Sequence, residues 1–152
     1  MTASFAEQLS AFAEKTKQKH DVIVRRVVLQ IGASLVERSP VGNPDLWAAN
    51  QNGKVAGKGY VGGRFRANWQ ISAGDRASGV IDAIDASGDV SMARISAFVA
   101  ALQAGGVVYI TNNLPYAQKL EYGHSKQAPA GMVRITAVEF QAYVDRILKE
   151  LP

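Results

Sequence analysis

Residues Tyr109–Met132 read YITNNLPYAQKLEYGHSKQAPAGM, and the order of elements in this stretch decides how the rest of the chain can be arranged. Val107, Val108, Tyr109 and Ile110 form a β-branched and aromatic run with the profile of a buried or half-buried strand. Thr111, Asn112 and Asn113 end it with side chains that bond their own backbone and suit a tight turn. Pro115 pre-sets φ for the start of a short helix, where its missing N–H costs nothing. Leu114, Ala117 and Leu120 fall on one side of that helix, with Tyr116 close by. Gly123 stands where a helix needs positive φ to stop. His124–Pro129 is then a polar loop before the last helix, which Met132, Ile135, Val138, Phe140, Tyr143, Val144, Ile147 and Leu148 outline as far as Lys149.

On the N-terminal side, Phe5, Leu9, Phe12, Thr16, Ile23, Val27, Ile31 and Leu35 recur at helical spacing, which predicts an amphipathic helix over residues 4–37. Such a helix is roughly 50 Å long, longer than the core this chain can build. It either breaks near Lys19-His20-Asp21 or projects past its own core, and Pro40 stops it. From residue 41 to residue 66 periodicity disappears: six glycines, Pro44 and several asparagines make a long arm whose Trp47, Tyr60, Val61 and Phe65 need a surface to bury against. Asn68–Ala73 alternates as a strand, Val80–Ile84 suggests another, and Asp89 is placed to cap a helix carrying Met92, Ile95, Phe98, Val99 and Leu102. The result is one α+β domain over residues 1–152, a small antiparallel or mixed sheet packed against the long helix and further helices.

A chain of 152 residues without cysteine has no disulfide framework, no thiolate nucleophile and no thiolate metal site. The N-terminus lacks the pattern of a signal peptide, and no apolar run reaches the length of a membrane span, so the expectation is a soluble product of a reducing cytoplasm. Ser125 beside His124 is a poor nucleophile–base pair, since chain neighbours seldom reach the required geometry. Asp82, Asp85 and Asp89 would share a face only in a helix, which Gly88 opposes; surface or turn-cap roles fit them better. The basic arm residues Lys54, Lys58, Arg64 and Arg66 suit solvent, a subunit interface or a phosphate backbone. Lys119, Glu121 and Lys126 read as surface charges rimming an interface around Tyr116, Tyr122 and His124. The expectation is a protein that is not an enzyme and uses no cofactor or metal.

The run NNLPYAQKLEYGHSKQAPAGMV, Asn112–Val133, resembles the signature of the tail-completion and neck (head–tail connector) proteins of long-tailed bacteriophages, related to the lambdoid minor tail protein Z. The resemblance extends more weakly to Ser39-Pro40-Val41 and to Gly63–Trp69, where the family shows a serine–proline pair, a threonine–glycine before a basic residue, then a tryptophan strand. It implies a structural virion protein at the head–tail junction, made in the host bacterial cytoplasm, which completes or caps the tail as a ring around the DNA channel. A hexamer is implied by the symmetry of tails and necks, with a monomer before assembly left open. Implied partners are neighbouring neck, head-completion, tail-terminator or tail-tube proteins, with non-specific contact to genomic DNA and none to membrane. Asn113, Pro115, Tyr116, Leu120, Glu121, Tyr122, Gly123, His124 and Pro129 would then be interface or fold-defining positions, with Trp47, Tyr60 and Phe65 beside them. Gly63, Arg64 and Arg66 would lie at the base of the arm. The sequence departs from the family pattern between Pro40 and Gly63, leaving channel lining, neighbour clasp and contact with an adjoining ring open for the arm. The other class is a stand-alone nucleic-acid-binding module using the basic residues of the arm.

Overall fold

The computed structural model describes residues 3–42 and 61–152. Trp47, Lys54, Lys58 and Tyr60 lie outside the described residues. Helix α1 spans Phe5–Arg38 without a break. A capping box starts it: the Ser4 N–H donates to the Glu7 carboxylate at 2.7 Å, and the Glu7 N–H to Ser4 Oγ at 3.3 Å. No proline or glycine interrupts Lys19-His20-Asp21, so the polar patch there changes what the helix faces and not its course. Among the described residues, only the second half meets the rest of the molecule. Between residues 3 and 20, every position except half-buried Thr16 is exposed, including Phe5 at 80%, Leu9 at 55% and Phe12 at 69%.

A short helix α2, Arg64–Ala67, leads into strand β1, Trp69–Ala73. Helix α3, Asp89–Ala100, precedes strand β2, Val108–Asn112, which pairs antiparallel with β1 in the register Trp69↔Asn112, Ile71↔Ile110 and Ala73↔Val108. Helices α4, Ala117–Glu121, and α5, Val133–Glu150, complete the order. The architecture is a mixed α+β fold in which α1 packs against a small two-stranded sheet and further helices.

Three local expectations are corrected. Val80–Ile84 is no strand: the Asn68 side chain takes the place of a ladder partner, donating from Nδ2 to the Ile81 carbonyl at 3.1 Å and accepting the Ile81 N–H at 2.7 Å. Thr111 and Asn112 belong to β2 and not to the turn, because Asn112 performs its turn chemistry from inside the strand, its Oδ1 accepting the Leu114 N–H at 3.3 Å. Residues 64–66, expected at the end of the arm, are helical, with Phe65 buried against Trp69 in an edge-on ring contact at 5.7 Å.

The core gathers Leu35 and Val36 of α1, Phe65, Trp69, Ile95 and Val99 of α3, Leu114 and Met132. Between α1 and α5 the contact is partly polar. Ser34 Oγ and Thr136 Oγ1 bond at 2.8 Å, and the Tyr143 hydroxyl lies 3.2 Å from Ser34 Oγ and 2.5 Å from the Glu139 carboxylate. Arg38 grips the same carboxylate at 2.7 and 2.9 Å. The Tyr143 hydroxyl and the Arg38 guanidinium hold the Glu139 carboxyl below its ordinary pKa.

Candidate interaction surfaces

The Asn112–Val133 segment turns out to be a clamp on the start of α5. Burial alone would push the Glu121 carboxyl's pKa up, yet the carboxylate accepts the backbone N–H groups of Met132, Val133 and Arg134 at 2.8–2.9 Å, and these with the Arg134 side chain hold it down. The first N–H groups of a helix have no intrahelical acceptor, so Glu121 caps α5 across the intervening loop. Gly131 makes this possible. It sits at φ +81°, and a Cβ there would lie 2.5 Å from the Glu121 carboxylate. The reading of Glu121 as a surface charge is therefore corrected: its side chain is 15% exposed.

Around that clamp the remaining signature residues divide. Leu120 packs against the core, and Tyr116 stands 6.3 Å from Phe65, ring to ring. Gly123 stops α4 at φ +85°, with the Pro129 carbonyl against the place where a Cβ would be. Asn113 Nδ2 donates to the carbonyls of Ala77 and Gly79 at 2.9 and 3.0 Å, tying down the 74–79 loop, while Pro115 is exposed beside it. Tyr122 and His124 face outward. The Arg134 guanidinium covers one side of the Tyr122 ring at 5.0 Å, and Lys119, Tyr122, Gly123 and His124 line an open depression of about 430 Å³.

At the base of the arm, the two described ends meet. Gly62 lies so close to Gly42 that a Cβ would collide with its carbonyl, and the Gln127 amide exchanges two hydrogen bonds with Val41, at 2.9 and 3.0 Å. Arg66 donates to the carbonyls of Glu37, Ser39 and Ala86 at 2.6–3.2 Å, placing a cation at the negative end of α1. Its charge is thus committed internally. Arg64 is exposed and makes a 3.9 Å ion pair with Asp82. Ser39 Oγ accepts the Trp69 indole N–H at 2.7 Å and donates to the Leu35 carbonyl at 2.6 Å, which links the serine–proline stop to the tryptophan strand.

The three aspartates do not converge. Asp82 and Asp89 are exposed, whereas Asp85 is buried and accepts from the Gly88 N–H at 3.1 Å and from the Ser91 N–H and hydroxyl at 2.7 Å each. Burial works to raise the Asp85 pKa, and the Ser91 and Gly88 hydrogen bonds overcome it. Asp85 therefore satisfies the free N–H groups at the start of α3, the role expected of Asp89, which is the first helical residue. Among the described residues no group of three or more His, Asp or Glu side chains could hold a metal ion, and no helix is long and apolar enough to cross a membrane.

One surface feature escaped the sequence reading. Val28 and Ile31 of α1, Val108 and Ile110 of β2, and Val133, Ala137 and Phe140 of α5 line an apolar groove of about 420 Å³. Ile31 and Phe140 belong to the periodic stripes of their helices and Val108 and Ile110 to the β-branched run, whereas Val133 and Ala137 fall outside the stripe read for the last helix. That three stripes leave a gap between them depends on helix placement, for which periodicity carries no signal.

No family model, curated protein or solved structure matches this chain.

Proposed function

We propose that this chain is a structural subunit that assembles into a ring, and that the ring completes or caps the tail of a long-tailed bacteriophage where it joins the head. The observation that carries the self-assembling part is α1, whose first half extends beyond the core with Phe5, Leu9 and Phe12 uncovered. Large apolar side chains in a contiguous exposed stripe mark an interaction site. A head-to-tail interface whose rotation closes produces a ring, and one chain can supply both of its faces. The virion assignment rests on the resemblance of Asn112–Val133 to the neck-protein signature. Support for a scaffold role comes from what the polar residues of that segment do: Glu121 and Asn113 hold backbone together and present no convergent reactive pair.

Negative-stain electron microscopy of the purified chain, and of phage particles carrying it, tests the proposal. The expected result is closed rings with a central channel, and the same protein at the neck of the particle. Isolated globules that bind DNA tightly, with affinity falling steeply as salt rises, would instead establish the nucleic-acid-binding module.

A further inference from the structure

The exposed stripe and the apolar groove are two unpartnered apolar features among the described residues, and the continuous helix α1 contributes to both. Phe5, Leu9, Phe12 and Thr16 recur at four- and three-residue spacing on one face, and the same line continues through Ile23, Val27 and Ser34. Over its second half that line is covered by α5, which runs antiparallel to α1 and ends at Glu150, 3.6 Å from Arg26. Nothing described covers the part nearer the N-terminus. The groove, for its part, is walled on one side by Val28, Ile31 and Leu35 of the same α1. Phe12 and Val28 are separated by about 24 Å of unbroken helix, so a molecule cannot dock its own stripe into its own groove.

We infer that the N-terminal stripe of α1 from one copy, Phe5, Leu9 and Phe12, seats in the α1–β2–α5 groove of a second copy. This deepens the ring-forming reading and rests on it, by naming both faces of the head-to-tail junction. The occupant is a helix, since the stripe presents side chains at helical spacing to a trough bounded by two helices. Phe5 and Phe12, 80% and 69% exposed, carry most of the contact at about 150–250 Å² for a fully buried ring, with the half-exposed Leu9 between them, which makes this a small contact beside a standard stable interface. The contact is heterologous. Each copy offers one stripe and one groove, so assembly continues until the ring closes.

The test uses two single-face variants of the full chain, Phe12→Asp for the stripe and Ala137→Glu for the groove. Both positions are exposed, so each variant should keep the wild-type circular dichroism spectrum and melting temperature. Sedimentation velocity is run up to about 1 mM, the concentration at which even a weak millimolar contact is half formed. Wild type should associate, and each variant alone should associate about 100-fold more weakly. An equimolar mixture of the two should recover a complex of only two molecules, because one intact stripe and one intact groove remain.

Association of Ala137→Glu at wild-type strength while Phe12→Asp is monomeric would overturn the inference in favour of stripe-to-stripe pairing. Rings formed by both variants would overturn this contact and leave the ring reading standing. A wild-type chain that stays monomeric at every concentration would overturn both, as would the finding that the 43–60 segment of the same chain fills the groove.

Discussion

Glu121 shows how one side chain can define a fold from the middle of a loop. Its carboxylate takes three backbone N–H donors at the start of α5, and replacing a helix cap by alanine costs about 0.5–2 kcal/mol even where a single bond is lost. Glu121→Ala is expected to lower the unfolding free energy by about 2 kcal/mol at pH 7, read by urea denaturation. Because folding depresses this carboxyl's pKa below its ordinary 4.5, the unfolded chain takes up the proton first. The stabilisation is therefore complete above the unfolded value and disappears as pH falls through the folded one. The difference in stability between wild type and Glu121→Gln should narrow steadily below pH 4.5, and a gap independent of pH would exclude the charged cap. Sequence alone could show Glu121 as a charge on a short helix. Its partners stand more than ten residues away across a glycine at positive φ, a pairing that no local pattern encodes.

At the scale of elements, α1 behaves as two helices in one. Its second half is fastened to α5 through Ser34, Thr136 and Tyr143, so Tyr143→Phe should cost about 1–2 kcal/mol by removing a hydroxyl bonded to two groups. Its first half has no such attachment among the described residues. Phe5→Ser and Phe12→Ser should leave the stability of the dilute chain within about 0.5 kcal/mol of wild type, whereas Ile95→Ala in the core should cost about 2–5 kcal/mol. Chemical denaturation under dilute conditions separates the two cases. These elements were largely legible beforehand. The apolar period marked α1, α3 and α5 within a few residues, the proline and glycine punctuation marked α4, and alternation marked β1. The supposed strand at Val80–Ile84 failed because apolar residues can alternate without a neighbour to pair with. Val80 and Ile84 are exposed, and Asn68 claims the backbone of Ile81 between them. Helix α2 was hidden in the opposite way, since four residues are too few to show a period.

For the whole molecule, an oversized first helix leaves a stripe, and the meeting of α1, β2 and α5 a groove, that no described residue covers. The two described ends of the arm, Gly42 and Gly62, lie against each other. Charge follows the same economy: Arg66, Arg38 and Arg134 are spent on carbonyls and carboxylates of their own chain. Native mass spectrometry of the purified chain, sampled across concentration, measures most directly whether copies meet. One dominant closed species of fixed copy number, with few open intermediates, is the expected result, and six copies if the proposed place at the head–tail junction holds. A single copy of the chain at every concentration would contradict it.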